Sequence, residues 1–100
     1  MLENSFIIDK ITVNKTSYAI TANKHTLESL ANRNFQGNII VSTIKNIVSK
    51  LTDSITYGVI CNDNKKLLVI KSNTVVYIIT GLSQNMVFQN NTKIIKERNF

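Results

Sequence analysis

Two runs in the second half of the chain are apolar at every position, and they constrain the fold more than any other feature. The sequence reads LLVI over residues 67–70 and VVYII over residues 75–79, with a turn signal at Ser72-Asn73 between them. Runs of this length are typical of strands, and neighbouring side chains of a strand point to opposite faces of a sheet. Strands that are apolar on both faces are covered on both faces. The pair therefore predicts the centre of a sheet with material on each side.

Further strands are expected on both sides of this pair along the chain. ITYGVIC, residues 55–61, alternates like a strand and leads into a turn cluster at residues 62–65. A last strand is expected near residues 86–88, and residues 93–95 either continue it or form a separate strand. Gly81 and the polar segment after it are expected to end the apolar run that begins near residue 75.

The N-terminal segment predicts a hairpin. Residues 5–22 read as two short strands joined at Asn14-Lys15, because asparagine tolerates the positive φ that a tight hairpin turn requires. The apolar alternation breaks near Asp9-Lys10, which indicates a bulge or a register shift at that point.

Two helices are expected between the hairpin and the later strands. Residues 24–35 carry apolar positions at helical spacing, and Gly37 is expected to stop this helix. The second helix is predicted from Ser42, as its N-cap, to Leu51. Its apolar stripe follows the i, i+3, i+4, i+7 pattern and consists of Ile44, Ile47, Val48 and Leu51.

These elements predict an α+β fold in the order β-β-α-α-β-β-β-β. Two helices pack on a mainly antiparallel four- to five-stranded meander, preceded by the N-terminal β-hairpin. At 100 residues, the chain is expected to be a single domain, residues 1–100. The helices would cover one face of the sheet. The other face would meet the hairpin, a ligand or a partner subunit, so a homodimer is one alternative.

Composition narrows the range of functions. The net charge of +6 and the pI of about 9.7 favour polyanionic partners, nucleic acid first and acidic protein surfaces second, although a merely soluble basic protein would have the same charge.

The only cysteine, Cys61, lies in an apolar strand pattern and is expected to be buried and inert. Paired catalytic carboxylates and a glycine-rich phosphate loop are absent from the sequence, so we expect no metal and no cofactor. No apolar stretch reaches membrane-spanning length, and a reduced, cytoplasmic protein is expected.

The segment KHTLESLANRNF, residues 24–35, holds the strongest candidate site. At about 100° per residue, His25, Ser29 and Arg33 fall within roughly 80° of one another on the helix surface. Facing nearly the opposite way are the apolar residues of this helix, Leu27, Leu30 and Ala31. Histidine exchanges a proton near neutral pH and arginine holds a phosphate, which are the minimum requirements for cleaving RNA through its own 2′-hydroxyl. The same pattern also fits the polar face that any surface helix has.

The order of these elements resembles the RelE-like toxin superfamily, and within it a phage-associated group of small domains. The resemblance covers roughly residues 18–81. It rests on His25 with Arg33 eight residues later, on a second helix, and on KKLLVIKSNTVVYIIT (65–80), which is similar to the paired strands of that group. The group typically has a further arginine midway between the two site residues, and this chain has Ser29 there. The resemblance implies an RNA-binding scaffold that acts without metal.

Further site residues follow from this comparison. Thr80, at the end of an apolar strand, would place a hydroxyl beside the helix that carries His25, and it is otherwise simply a good strand residue. The candidates for contact with the RNA backbone are Lys24, Lys93, Lys96 and Arg98; the last three would otherwise belong to a solvated terminus. Aromatic side chains would stack bases, but Tyr57 and Tyr77 lie in strand patterns and are expected in the core.

Two hypotheses remain open at this point. The first is a RelE-like RNA-binding protein with metal-independent endoribonuclease activity. His25 would be its acid and base, Arg33 would hold the scissile phosphate, and RNA or the ribosome would be its partner. The second is a non-enzymatic protein of phage or mobile-element origin that binds and inhibits a host protein.

Overall fold

A computed structural model describes residues 5–98. Within these residues the chain is an α+β protein with two helices and a six-stranded mixed sheet. The elements in chain order are β1 (Ser5–Val13), β2 (Thr16–Asn23), α1 (Lys24–Asn32), α2 (Gly37–Ile47), a 3₁₀ turn (Val48–Lys50), β3 (Thr56–Ile60), β4 (Lys66–Ser72), β5 (Val75–Leu82) and β6 (Lys93–Lys96). The predicted order of strands and helices is confirmed.

The sheet has the strand order β1-β2-β5-β4-β3-β6. Strands β3, β4 and β5 form the expected antiparallel meander. The expectation of a four- to five-stranded meander with a separate hairpin is wrong, because all six strands belong to one sheet. The first hairpin joins the meander through a parallel pairing of β2 with β5, and β6 closes the other edge by pairing in parallel with β3.

The N-terminal hairpin forms as its turn sequence predicts. Asn14 and Lys15 both adopt positive φ, 52° and 67°, and they connect the paired residues Val13 and Thr16. This is the turn geometry whose twist matches two antiparallel strands. The pairing register shifts between Ile7 and Asp9, which confirms the bulge.

Both helices cover one face of the sheet. The predicted stripe of α2 and the 3₁₀ turn is confirmed, since all four of its residues are buried. It packs on core strand residues that include Ile20, Val59, Leu67, Val69 and Val76. Burying each such side chain contributes about 1.5–3 kcal/mol, so this face supplies most of the stabilising apolar contact.

The boundaries of the helices differ from the expectation at Gly37 and Ser42. Helix α1 ends at Asn32 because Asn34 adopts a φ of 61°, and the N–H groups of Asn34 and Phe35 donate to the carbonyls of Ala31 and Leu30. This is a Schellman motif that uses asparagine in place of glycine. Gly37 therefore does not stop α1.

Gly37 is instead the first residue of α2, with Gln36 as its N-cap, and Ser42 is exposed inside that helix. The observed α2 thus starts one and a half turns before the predicted cap. The predicted apolar stripe identified the helix correctly but began one turn too late, because Ile40, one turn before Ile44, is also buried.

A loop, residues 83–92, crosses the opposite face of the sheet. The ring of Phe88 lies against Gly58, so close that a Cβ there would be 2.7 Å from the ring. The expected strand at residues 86–88 is wrong, because these residues form no ladder. Phe88 covers the sheet instead, whereas Met86 and Val87 are exposed. The hairpin does not cover this face either. The part of this second face of the sheet around Tyr77 and Ile70 is left as an open groove.

Glu97 fastens the end of the chain to the rest of the structure. Its carboxylate accepts hydrogen bonds from Thr43 Oγ1 (3.0 Å), Asn46 Nδ2 (2.8 Å) and the Asn62 backbone N–H (3.0 Å). Its own N–H donates to the Ile60 carbonyl. These contacts join β6 to α2 and to the turn between β3 and β4.

Candidate functional site

Helix α1 takes the place of a strand beside the second half of β5. Strand β2 pairs with β5 only as far as Thr21 and Tyr77, after which β2 turns into α1. The next backbone carbonyls of β5 would be left without donors. Thr26 Oγ1 donates to the Ile79 carbonyl at 2.9 Å, and Arg33 Nη1 donates to the Gly81 carbonyl at 2.6 Å. Two side chains of α1 therefore replace ladder hydrogen bonds along this edge.

These contacts rotate α1 away from the orientation that its apolar residues predict. Thr26 and Leu30 are buried, whereas Ala31 is exposed, so the expectation that Ala31 packs on the sheet is wrong. At about 100° per residue, Arg33 lies close to the direction of Thr26 and Leu30 rather than on the exposed side. Close packing at Gly81 holds this orientation, since a Cβ there would be 2.5 Å from Leu30 Cδ2.

His25 lies apart from Arg33. Its side chain is exposed, and within residues 5–98 the imidazole has no hydrogen-bond partner. Eight residues of helix separate the two positions by about 12 Å along the axis. Arg33 is half-buried against β5, and only its remaining N–H groups are available to a ligand. The structure thus does not join the two side chains in one closed cleft.

Thr80 projects from the opposite face of the sheet. It pairs with Leu68, and both alternate with Leu67 and Gly81, which face the helices. Its hydroxyl lies 3.5 Å from the Gly81 carbonyl, the same oxygen that Arg33 contacts, and it lines a concavity under the loop of residues 83–92. Thr80 and Arg33 therefore meet at one carbonyl, but Thr80 does not lie beside the exposed face that carries His25.

The basic candidates fall in two places. Lys24 is exposed at the start of α1, while Lys93, Lys96 and Arg98 are exposed on or just after β6. Because β2, which leads directly into α1, lies four strands away from β6, these two places are about 19 Å apart across the sheet. Lys96 and Arg98 line a concavity of about 310 Å³ together with Asn62 and Asn64.

An open groove on the uncovered half of the second face was not identified from the sequence. It has a volume of about 560 Å³, and its floor includes Ile70, Tyr77 and Ile79. Tyr77 is half-buried rather than in the closed core, which corrects the expectation for this residue. The sequence holds one sign of this arrangement. Tyr77 alternates with Val76 and Ile78 along the strand, so its ring had to lie on the opposite face of the sheet from these two residues.

Cys61 is inert, as its sequence context suggests. Its side chain is 3% exposed, and burial raises the pKa of the thiol to about 12, so it is protonated at neutral pH. Among residues 5–98, no three histidine, cysteine, aspartate or glutamate side chains are grouped as a metal site would require. No helix in this part of the chain is long and apolar enough to cross a membrane.

Comparison with known proteins finds no match for this chain among protein families, characterised proteins or solved structures.

Proposed function

We propose that this chain is a RelE-like RNA-binding protein that contacts the phosphate backbone at the start of α1 and along β6. The element order on which the resemblance rests supports the RelE-like assignment. In that order, α1 carries His25 and Arg33, α2 follows, and the meander β3–β5 ends in the sequence IIT.

The observation that carries the RNA-binding proposal is the exposure of positive side chains at these two places, on a chain with a net charge of +6. Asp53 is bound by Lys71 and by the Asn73 N–H, and Glu97 is held by its three donors. The basic candidates at the start of α1 and around β6 are exposed. These two acids are thus engaged internally, while the positive side chains at both places face solvent. This arrangement attracts a polyanion and gives a binding energy that falls with salt.

Cleavage of the bound RNA would use His25 and Arg33. The exposed imidazole would take the proton of a 2′-hydroxyl as its oxygen bonds to phosphorus, and would give a proton to the 5′-oxygen as the P–O5′ bond breaks. The N–H groups of Arg33 that do not contact Gly81 would stabilise the charge on phosphorus. Because the 2′-hydroxyl and the phosphorus that it attacks belong to one linkage, the two side chains would have to reach toward each other across the axial distance of about 12 Å when RNA binds. Catalysis of this type requires an oriented base, and RNA itself would have to orient His25.

A second candidate function is a non-enzymatic protein that binds and inhibits a host protein. The contact that favours it is the hydrogen bond of Arg33 to the Gly81 carbonyl, which gives this arginine a structural use. Ser29 supplies no second cation on the same side of α1. The two candidates differ in the target of the surface around α1, which is RNA to be cleaved in the first and a host protein in the second.

The experiment compares the parent protein with three variants in a binding assay and a cleavage assay. Total RNA and ribosomes are incubated with the protein in the absence of divalent metal, and binding of a labelled single-stranded RNA is measured as salt is increased. The variants are His25→Ala, Arg33→Ala and the double variant Lys93→Ala/Lys96→Ala. The matched control is Lys45→Ala/Lys50→Ala, which removes two exposed lysines elsewhere.

We expect the β6 double variant to weaken RNA binding and to reduce the salt slope by about 0.7 for each lysine that contacts a phosphate, while the control retains the slope of the parent. Cleavage that disappears in the His25 and Arg33 variants supports the nuclease. If the parent binds RNA but does not cleave it, the chain is an RNA-binding protein without nuclease activity. Absence of RNA binding at low salt, with a host protein recovered in a stable complex, would establish the second candidate instead.

A further inference from the structure

The open groove on the second face of the sheet has three features that suit a flat, uncharged ring. Its floor contains the tyrosine ring of Tyr77 between the aliphatic side chains of Ile70 and Ile79, and Ile79 is 41% exposed. Its volume of about 560 Å³ lies in the range of about 300–1,000 Å³ that small-molecule sites occupy. An aromatic ring beside aliphatic walls is the usual platform for an unstacked base.

The rim of the groove supplies neutral hydrogen-bonding groups. Asn23 uses its side-chain oxygen to cap α1 through the Thr26 N–H, which leaves its amide N–H groups for a ligand. Ser54 and Ser72 complete the rim.

Among the described residues that line the groove, no charge is left unbalanced. Lys71, the one cation among its lining residues, is paired with Asp53. A phosphate would therefore find no charged partner inside it, whereas a nucleobase is neutral and needs none. Positive charge begins just outside, since Lys24 follows Asn23 directly and is exposed. A base in the groove would thus place its phosphate next to the start of α1.

We propose that this groove binds one unstacked nucleobase of a single-stranded RNA, stacked on Tyr77, while the adjoining phosphate contacts Lys24. This inference rests on the proposed RNA binding and adds to it a base-binding site. It predicts an affinity component that depends on the bases rather than on the backbone charge.

The test compares two labelled strands of equal length and charge by fluorescence anisotropy. One is a short oligouridine, and the other has abasic sugars in place of its central nucleotides. We expect the parent to bind oligouridine about 5- to 100-fold more tightly, as one stacked base provides. Tyr77→Leu should make the two affinities equal, whereas Tyr77→Phe retains the ring and most of the difference.

A second pair of variants removes dependence on the stability of the Tyr77 variants. Ser72 is exposed on the rim, so Ser72→Phe should block the groove without disturbing the core. Ser49→Phe adds the same side chain to the 3₁₀ turn and serves as its control. Loss of the base-dependent component in Ser72→Phe alone supports the site.

Each contrary outcome has a distinct meaning. Equal affinity of the parent for both strands overturns the base site and leaves RNA binding through phosphates in place. Absence of binding to either strand removes the proposed function as well. A parent dimer that Ser72→Phe dissociates would make the groove an interface between two copies. If the parent also binds oligothymidine DNA, and Tyr77→Leu and Ser72→Phe lose that binding as they lose oligouridine binding, the base site stands and accepts DNA as well as RNA.

Discussion

Replacing Arg33 tests whether this side chain is part of the fold as well as of the candidate site. Its Nη1 donates to the Gly81 carbonyl at 2.6 Å, at a position where β2 has already left the edge of β5. A hydrogen bond from a charged donor contributes about 1.5–3 kcal/mol. Because Arg33 is half-buried and water can reach the carbonyl after truncation, we expect Arg33→Ala to lower the free energy of unfolding by about 1–2 kcal/mol.

For a chain of 100 residues this loss corresponds to a decrease in Tm of about 5–15 °C. The assay is urea denaturation followed by circular dichroism, with Thr26→Val as a second variant at the same edge and Lys45→Ala as an exposed control. We expect Thr26→Val to cost about 1 kcal/mol and Lys45→Ala less than about 0.5 kcal/mol. An Arg33→Ala protein as stable as the parent would refute the idea that α1 satisfies the edge of β5 through this side chain.

Three further predictions follow from other contacts. Glu97→Gln should lower the free energy of unfolding by about 1–3 kcal/mol, measured by urea denaturation, because a neutral amide weakens the bonds from Thr43, Asn46 and the Asn62 N–H; unchanged stability would contradict the fastening role. Cys61 should react with iodoacetamide at pH 8 about 10³-fold more slowly than an exposed cysteine, followed by mass spectrometry, because burial raises the pKa of its thiol to about 12; rapid labelling of the folded protein would contradict its burial. The hydrogen bond from Lys71 lowers the pKa of Asp53 below 3.8, so the stabilising contribution of this carboxylate is present above about pH 4 and is lost as the pH falls through the lower folded-state value. The parent should therefore have a higher denaturation midpoint than Asp53→Asn at neutral pH, and the difference should disappear at acid pH. An equal difference at both pH values would contradict the pairing.

Local sequence patterns predicted the local elements of this fold well. Asn14-Lys15 marked the hairpin turn because few residues adopt positive φ, and the stripe from Ile44 to Leu51 marked the second helix because its spacing matches the helical period. The strands of the meander followed from their apolar runs. Each of these signals is complete within about ten residues.

The long-range features could not be read in the same way. The parallel pairing of β2 with β5 joins Ala19 to Val75, and no periodicity within either strand specifies its partner. The rotation of α1 has the same origin, because Thr26 and Arg33 face the sheet only where β2 leaves carbonyls of β5 without donors. A threonine buried on a helix is unexpected until the edge that it satisfies is known.

The candidate site shows the same division. The helical period placed His25 and Arg33 on one side of α1, but the contact with Gly81 turns Arg33 toward the sheet. The groove around Tyr77 depends on which half of the second face the loop of residues 83–92 covers. A loop without periodicity gives no indication of its path from sequence.

The most direct measurement of the RNA-binding claim is an NMR titration of the isotope-labelled protein with short single-stranded RNA, followed through its backbone amide shifts. We expect the largest changes at residues 23–25, at Tyr77 and at residues 93–96, with little change on the exposed side of α2 around Lys45. Changes confined to α2, or an unchanged spectrum with RNA in excess at low salt, would contradict it.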